Sequence, residues 1–226
     1  MSRPLREDRS NLAPRLKYYQ GMLDSELIPA KEIASDRLLI MLHGLADSIE
    51  GYRWLPEMMR LNWLNYLLVN APDEYYGGYS WYDFAGDPSP GVARSCKLIT
   101  QLIDAQVEKG YASERIILGG FSQGCLMSIE TGLRYQKRLA GIIGISGYVC
   151  DPDKLLRELS PIAKEQRVLM THGTQDPIIP FKGVQSQVNQ LKAAGINIEW
   201  HEFVKAHTIA GEAELEVIRR FVEQSF

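Results

Sequence analysis

The sequence predicts an α/β fold, a mainly parallel sheet flanked by helices on both faces. Five short apolar runs carry that expectation: Leu38–Leu42, Tyr66–Val69, Ile116–Leu118, Ile142–Ile145 and Val168–Met170. Each is continuous rather than alternating, as a strand covered on both faces requires. Longer amphipathic stretches separate most of them, and strand alternating with helix implies parallel pairing through right-handed crossovers. A length of 226 residues suits one large domain, 1–226, in which residues 1–36 form an N-terminal extension with edge strands.

Taken in order, Leu16–Tyr19 and Glu26–Ala30 read as antiparallel edge strands ahead of the first central run. Pro72-Asp73 with Gly77-Gly78, then Asp87-Pro88-Ser89-Pro90-Gly91, mark loops, and Ser89-Pro90 reads as the cap and first residue of a helix. In that helix Val92, Cys96, Leu98, Ile99, Leu102, Ile103 and Val107 share one face. Val184–Leu191 and Leu215–Phe221 show the same period. Ser146 to Arg167, between the fourth and fifth apolar runs, is too short for a large cap domain. Ile196–His201 alternates apolar and polar, which places it near a sheet edge with one wetter face.

Composition narrows the function before any motif does. Hydrophobic content of 45% and charged content of 23% allow a sizeable core. A net charge of -3 gives no reason to expect nucleic acid or an anionic membrane as partner. Cys96, Cys125 and Cys150 are widely spaced, suit a reducing compartment and match no metal-ligand pattern. Residues 1–11 are polar, without the apolar core of a secretory signal, and no apolar run approaches the ~18 residues of a membrane span. The expectation is a cytoplasmic protein with no integral membrane association.

The chemistry-bearing stretch is Ile116 to Cys125, where an apolar strand ends in Gly120-Phe121-Ser122-Gln123-Gly124 and passes at once into a helical pattern. That is the setting of a nucleophile elbow, a sharp strand-to-helix turn that exposes a strained serine. Side chains at Gly120 and Gly124 would collide where strand and helix cross, and the helix N-terminus favours an oxyanion beside the serine. Cys125, in the first turn of a buried helix, reads as a small core residue.

A serine hydroxyl needs a base and an orienting carboxylate. Of the four histidines, His201 lies on the polar phase of the last strand, where it is expected to face solvent, and His43 comes too early for the order Ser, Asp/Glu, His. His172 ends a strand, immediately before a loop. His207 alone satisfies chain order and a loop position past a strand's carboxyl end. Asp176 is the candidate acid, with Asp151 and Asp153 as rivals that chain order leaves open. The N–H of Gln123 and that of Leu45, in the loop Leu42-His43-Gly44-Leu45-Ala46-Asp47, are the candidate oxyanion donors.

Five segments together resemble the carboxylesterase, lysophospholipase and acyl-protein thioesterase family of α/β-hydrolases: Leu42 to Asp47, Asn70-Ala71-Pro72, Ser80-Trp81-Tyr82-Asp83, Gly120 to Gly124, and His172 to Pro180 followed by His207. The resemblance spans about residues 37–225 and implies Ser122, Asp176 and His207 as triad, favouring Asp176 over its rivals. Leu45 and Gln123 would supply the oxyanion hole. The sequence departs from the family where Ala46 stands before Asp47, a place commonly held by glycine, and at Cys125, where a smaller residue usually follows the elbow.

The expected activity is that of a serine carboxylesterase working by two-step acyl transfer, with no metal or organic cofactor, on a small-molecule ester or acyl substrate. Trp54, Trp81, Tyr82, Ile178 and Ile179 are candidates for an acyl pocket. A long-chain acyl-protein thioesterase or lysophospholipase, an acyltransferase, and an inactive hydrolase fold used for binding are the alternatives. A homo-oligomer is left open.

Overall fold

The computed structural model describes residues 22–226. A seven-stranded sheet runs in the order β1-β3-β2-β6-β7-β8-β9. Its strands are β1 (Ser25–Ile28), β2 (Leu38–Leu42), β3 (Asn65–Val69), β6 (Ile116–Phe121), β7 (Gly141–Ile145), β8 (Arg167–Gly173) and β9 (Asn197–Phe203). Only β1 is antiparallel, pairing with β3 from Ser25 opposite Val69. It takes the place expected of Glu26–Ala30; the Leu16–Tyr19 expectation lies outside the described residues.

Every residue of β2, β3 and β7 is buried, because helices cover both faces of the sheet. Alternate side chains feed two cores. Leu38, Ile40, Leu42 and Leu118 pack against α2 (Ser89–Glu108), α3 (Gln123–Gly132), α4 (Pro152–Arg157) and α5 (Phe181–Ala193). Leu39, Met41, Ile117 and Ile143 pack against α1 (Leu55–Met59) and α6 (Glu212–Glu223). Each such side chain contributes about 1.5–3 kcal/mol by leaving water. Strand β9, at one edge of the sheet, is less covered: Ile198 is its one buried residue, and Asn197 and Glu202 are exposed, so the expected alternation does not carry through the strand. No helix among the described residues is long and apolar enough to cross a membrane.

Several boundaries differ from the sequence expectation for local reasons. Strand β3 begins one residue early at Asn65, whose amide donates to Ser35 and Arg37 carbonyls and accepts the Ala30 N–H. Strand β6 continues through Gly119-Gly120 to Phe121, although glycines read as a stop. Residues 73–80, expected as loop, form the hairpin β4 (Asp73–Tyr75) and β5 (Gly78–Ser80). Tyr76 and Gly77 turn it with φ of 45° and 86°, the two positive values a tight hairpin turn demands. Ser89 is the first residue of α2 rather than its cap: Pro88 holds the cap position, and the Asp87 carboxylate accepts the Ser89 N–H at 3.0 Å.

Candidate active site

The site begins where β6 meets α3. Ser122 joins them with φ 55° and ψ −115°, a conformation that costs a non-glycine residue on the order of 1–3 kcal/mol. Close crossing forces it. A Cβ on Gly124 would lie 2.2 Å from the Leu42 carbonyl oxygen, and one on Gly120 the same distance from the Gly124 oxygen. The Ser122 N–H donates to Ile145 at 2.9 Å, tying the elbow to β7.

Ser122 Oγ lies 2.9 Å from His207 Nε2, and His207 Nδ1 lies 2.7 Å from Asp176 Oδ2. Asp176 is buried, and its other oxygen accepts the N–H groups of Ile178 and Ile179, both at 2.9 Å. Burial pushes the Asp176 carboxyl up, but those N–H groups and His207 outweigh it and hold it below its ordinary value. An ionised Asp176 keeps the proton on Nδ1, so Nε2 faces Ser122 with a lone pair.

The other candidates lie elsewhere. Asp151 caps α4 by accepting the Lys154 N–H at 2.9 Å, and Asp153 accepts from Gln190. His201, expected in solvent, is half-buried against Glu199 at 2.7 Å. His172 is fully buried beneath Asp176 and donates from Nε2 to the Ile179 carbonyl at 3.0 Å, fixing the turn that presents the two N–H groups. His43 donates from Nδ1 to Gly44 and accepts the Ala71 N–H on Nε2. Burial lowers the pKa of both His43 and His172. Cys125 is buried in the core, its thiol pushed up to about 12 by burial.

The Leu42–Asp47 loop packs on the elbow: a Cβ on Gly44 would stand 3.3 Å from Ser122 Cβ. Ala46 takes φ 62°, the strained value that a glycine would relax, and its N–H donates to Tyr79. The Leu45 N–H makes no backbone hydrogen bond among the described residues, and Gln123, opening α3, has no acceptor within its helix. The Gln123 side chain accepts the Trp81 N–H at 3.0 Å and donates to the Tyr82 carbonyl at 3.1 Å.

That contact decides the pocket residues. Trp81 and Tyr82 are fully buried, Trp81 donating from its indole to the His43 carbonyl, so both support the site and neither lines it. Ile178 is exposed and Ile179 packs on the core; neither borders the cavity beside His207. Trp54 does border it. That cavity, about 410 Å³, also meets Met58, Phe121, Ile209 and Leu215. Among the described residues no group of three or more His, Cys, Asp or Glu side chains could hold a metal ion.

One buried ion pair gave no signal in the sequence. Lys205 Nζ lies 2.6 and 2.7 Å from the two Glu214 oxygens, both side chains inaccessible, and Glu214 also accepts the Ala210 N–H at 2.6 Å. Burial pulls the Lys205 ammonium below its ordinary pKa, against the opposing pull of Glu214. Glu214 thereby clamps both ends of the loop that carries His207 to the start of α6.

A sequence model described as phospholipase/carboxylesterase matches residues 23–226. An acyl-protein thioesterase 1 of Yarrowia lipolytica is 33% identical over 219 residues, covering 88% of this chain and 95% of that protein. One of Schizosaccharomyces pombe is 37% identical over 161 residues, covering 66% of this chain and 72% of that protein. The crystal structure of esterase PE8 superposes with a TM-score of 0.81 at 28% identity, over 91% of this chain and all of that one.

Proposed function

We propose that this chain, which belongs to the phospholipase/carboxylesterase family of serine hydrolases, cleaves carboxylic esters through Ser122, His207 and Asp176. The observation that carries the reading is the unbroken run of hydrogen bonds from Ser122 Oγ through His207 to Asp176. His207 takes the Ser122 proton as Ser122 Oγ attacks the carbonyl carbon, and Asp176 stabilises the imidazolium. The Leu45 and Gln123 N–H groups receive the oxyanion; losing one such donor typically costs on the order of 10²–10³ in turnover. His207 then protonates the leaving group, and water releases the acyl enzyme by the same route. No step calls for a metal or organic cofactor.

A second reading, cleavage of thioesters with long acyl chains, is favoured by the acyl-protein thioesterase relatives. Hydrolysis of p-nitrophenyl esters and of thioesters with the same acyl chains, from acetate to palmitate, with Ser122→Ala as control, separates the two. A short-chain optimum lost in the variant supports the carboxylesterase; a long-chain optimum supports the second reading. No Ser122-dependent turnover at any length overturns both.

A further inference from the structure

We infer that the cleft beside His207 is the subsite for the leaving group, and that it selects an apolar alcohol or thiol over an anionic one. The inference rests on the serine-esterase reading and adds the substrate's second half to it. In acylation Ser122 Oγ bonds to the acyl carbon and the bond from that carbon to the leaving heteroatom breaks. The proton that His207 took from Ser122 passes from Nε2 to that heteroatom, and an alcohol or thiol departs. The acyl carbon is held at Ser122 and its oxygen at the Leu45 and Gln123 N–H groups. The leaving atom is the substituent that must come within hydrogen-bond reach of Nε2, so the group behind it runs into the space that borders His207.

The cleft of about 410 Å³ is that space. Its wall includes His207 and Phe121 and none of Ser122, Leu45 and Gln123, which places it on the histidine side of the reacting carbon. Trp54, Met58, Ile209 and Leu215 give it an apolar lining. Trp54 is held in place, its indole donating to the Gly51 carbonyl at 2.6 Å and its ring stacked on Tyr52. Among the described residues Asp47, at the wall, is its one carboxylate, and no lysine or arginine lines the cleft to welcome an anion. Beneath Ile209 and Leu215 the core closes to a void of about 10 Å³, room for no more than one water, so the cleft has a floor.

The test holds one half of the ester constant while the other grows. Alkyl acetates from ethyl to octyl share nearly one leaving-group reactivity, as do ethyl esters from acetate to octanoate on the acyl side. kcat/KM is expected to rise along the alcohol series by roughly fourfold per buried methylene, then level off at the floor. Capping the alcohol chain with a carboxylate, as in 6-acetoxyhexanoate, is expected to abolish that gain. Trp54→Ala should flatten the alcohol series more than the acyl series; this side chain is partly exposed, and circular dichroism confirms folding. Ile209→Trp, which shortens the cleft, should move the plateau to a shorter alcohol. A flat alcohol series beside a steep acyl series overturns the inference and gives the cleft to the acyl chain. Absence of Ser122-dependent turnover on every ester overturns the serine-esterase reading, and the inference falls with it.

Discussion

Two segments meet at the hydrogen bond between Ser122 and His207, and different forces hold them. On the serine side all ten residues of α3 are buried, strand and helix touch through glycine, and among the described residues no charged pair supports the turn itself. On the histidine side, residues 204–211 are mostly exposed or half-buried, with Lys205 the one buried residue among them. Dry packing therefore sets Ser122, the proposed nucleophile, whereas a buried ion pair sets His207, the proposed base. Packing of this kind fails when volume is added, since interiors near crystal density have no room to give. An ion pair fails when one partner is removed, because the survivor remains charged and buried.

The largest expected effect breaks the histidine side. Glu214→Ala leaves Lys205 without a partner and the Ala210 N–H without an acceptor, at a cost of about 3–5 kcal/mol in urea denaturation. The double variant Lys205→Met/Glu214→Leu is expected to recover most of that stability while turnover stays low, because the clamp on the loop is still missing. Full stability and full turnover in Glu214→Ala would mean that the ion pair holds neither the fold nor the His207 loop. The matching change on the serine side is Gly124→Ala, whose methyl group meets the Leu42 carbonyl at 2.2 Å. A loss of about 1–3 kcal/mol is expected, together with lower turnover in the folded fraction.

A smaller effect is expected with pH. Each side keeps a buried histidine, His43 under the Gly44 turn and His172 under Asp176, and burial lowers both pKa values. The unfolded chain then binds protons that the folded one refuses, so stability is full above the unfolded value near 6.5 and falls with pH below it. The limiting slope is about 1.4 kcal/mol per pH unit for each histidine. Thermal melts between pH 7.5 and 5.5 should show the midpoint falling toward acid, and a flat profile would mean that neither histidine is held neutral.

The same contrast explains what the sequence made legible. The sheet could be read because strands covered on both faces leave continuous apolar runs, and the elbow because strand, glycines and helix are contiguous. Strand ends depart from the apolar runs where a polar or glycine residue does local work, as at Asn65 and Gly119-Gly120. Asp176 could not be separated from Asp151 and Asp153 by chain order; what separates them is the pair of N–H groups that His172 turns toward Asp176. Trp81 and Tyr82 looked like pocket residues because aromatic side chains serve cores and pockets alike. The link between Lys205 and Glu214 follows no helical or strand period, so nothing in the sequence marked it.

The most direct test of the central claim is mass spectrometry after treatment with a fluorophosphonate, which a serine made nucleophilic by its histidine attacks with loss of fluoride. One phosphonyl group is expected, on the peptide that carries Ser122, in step with lost esterase activity, and no such adduct in a folded His207→Ala variant. Inhibition with the label on another residue, or equal labelling of Ser122 without His207, would contradict it.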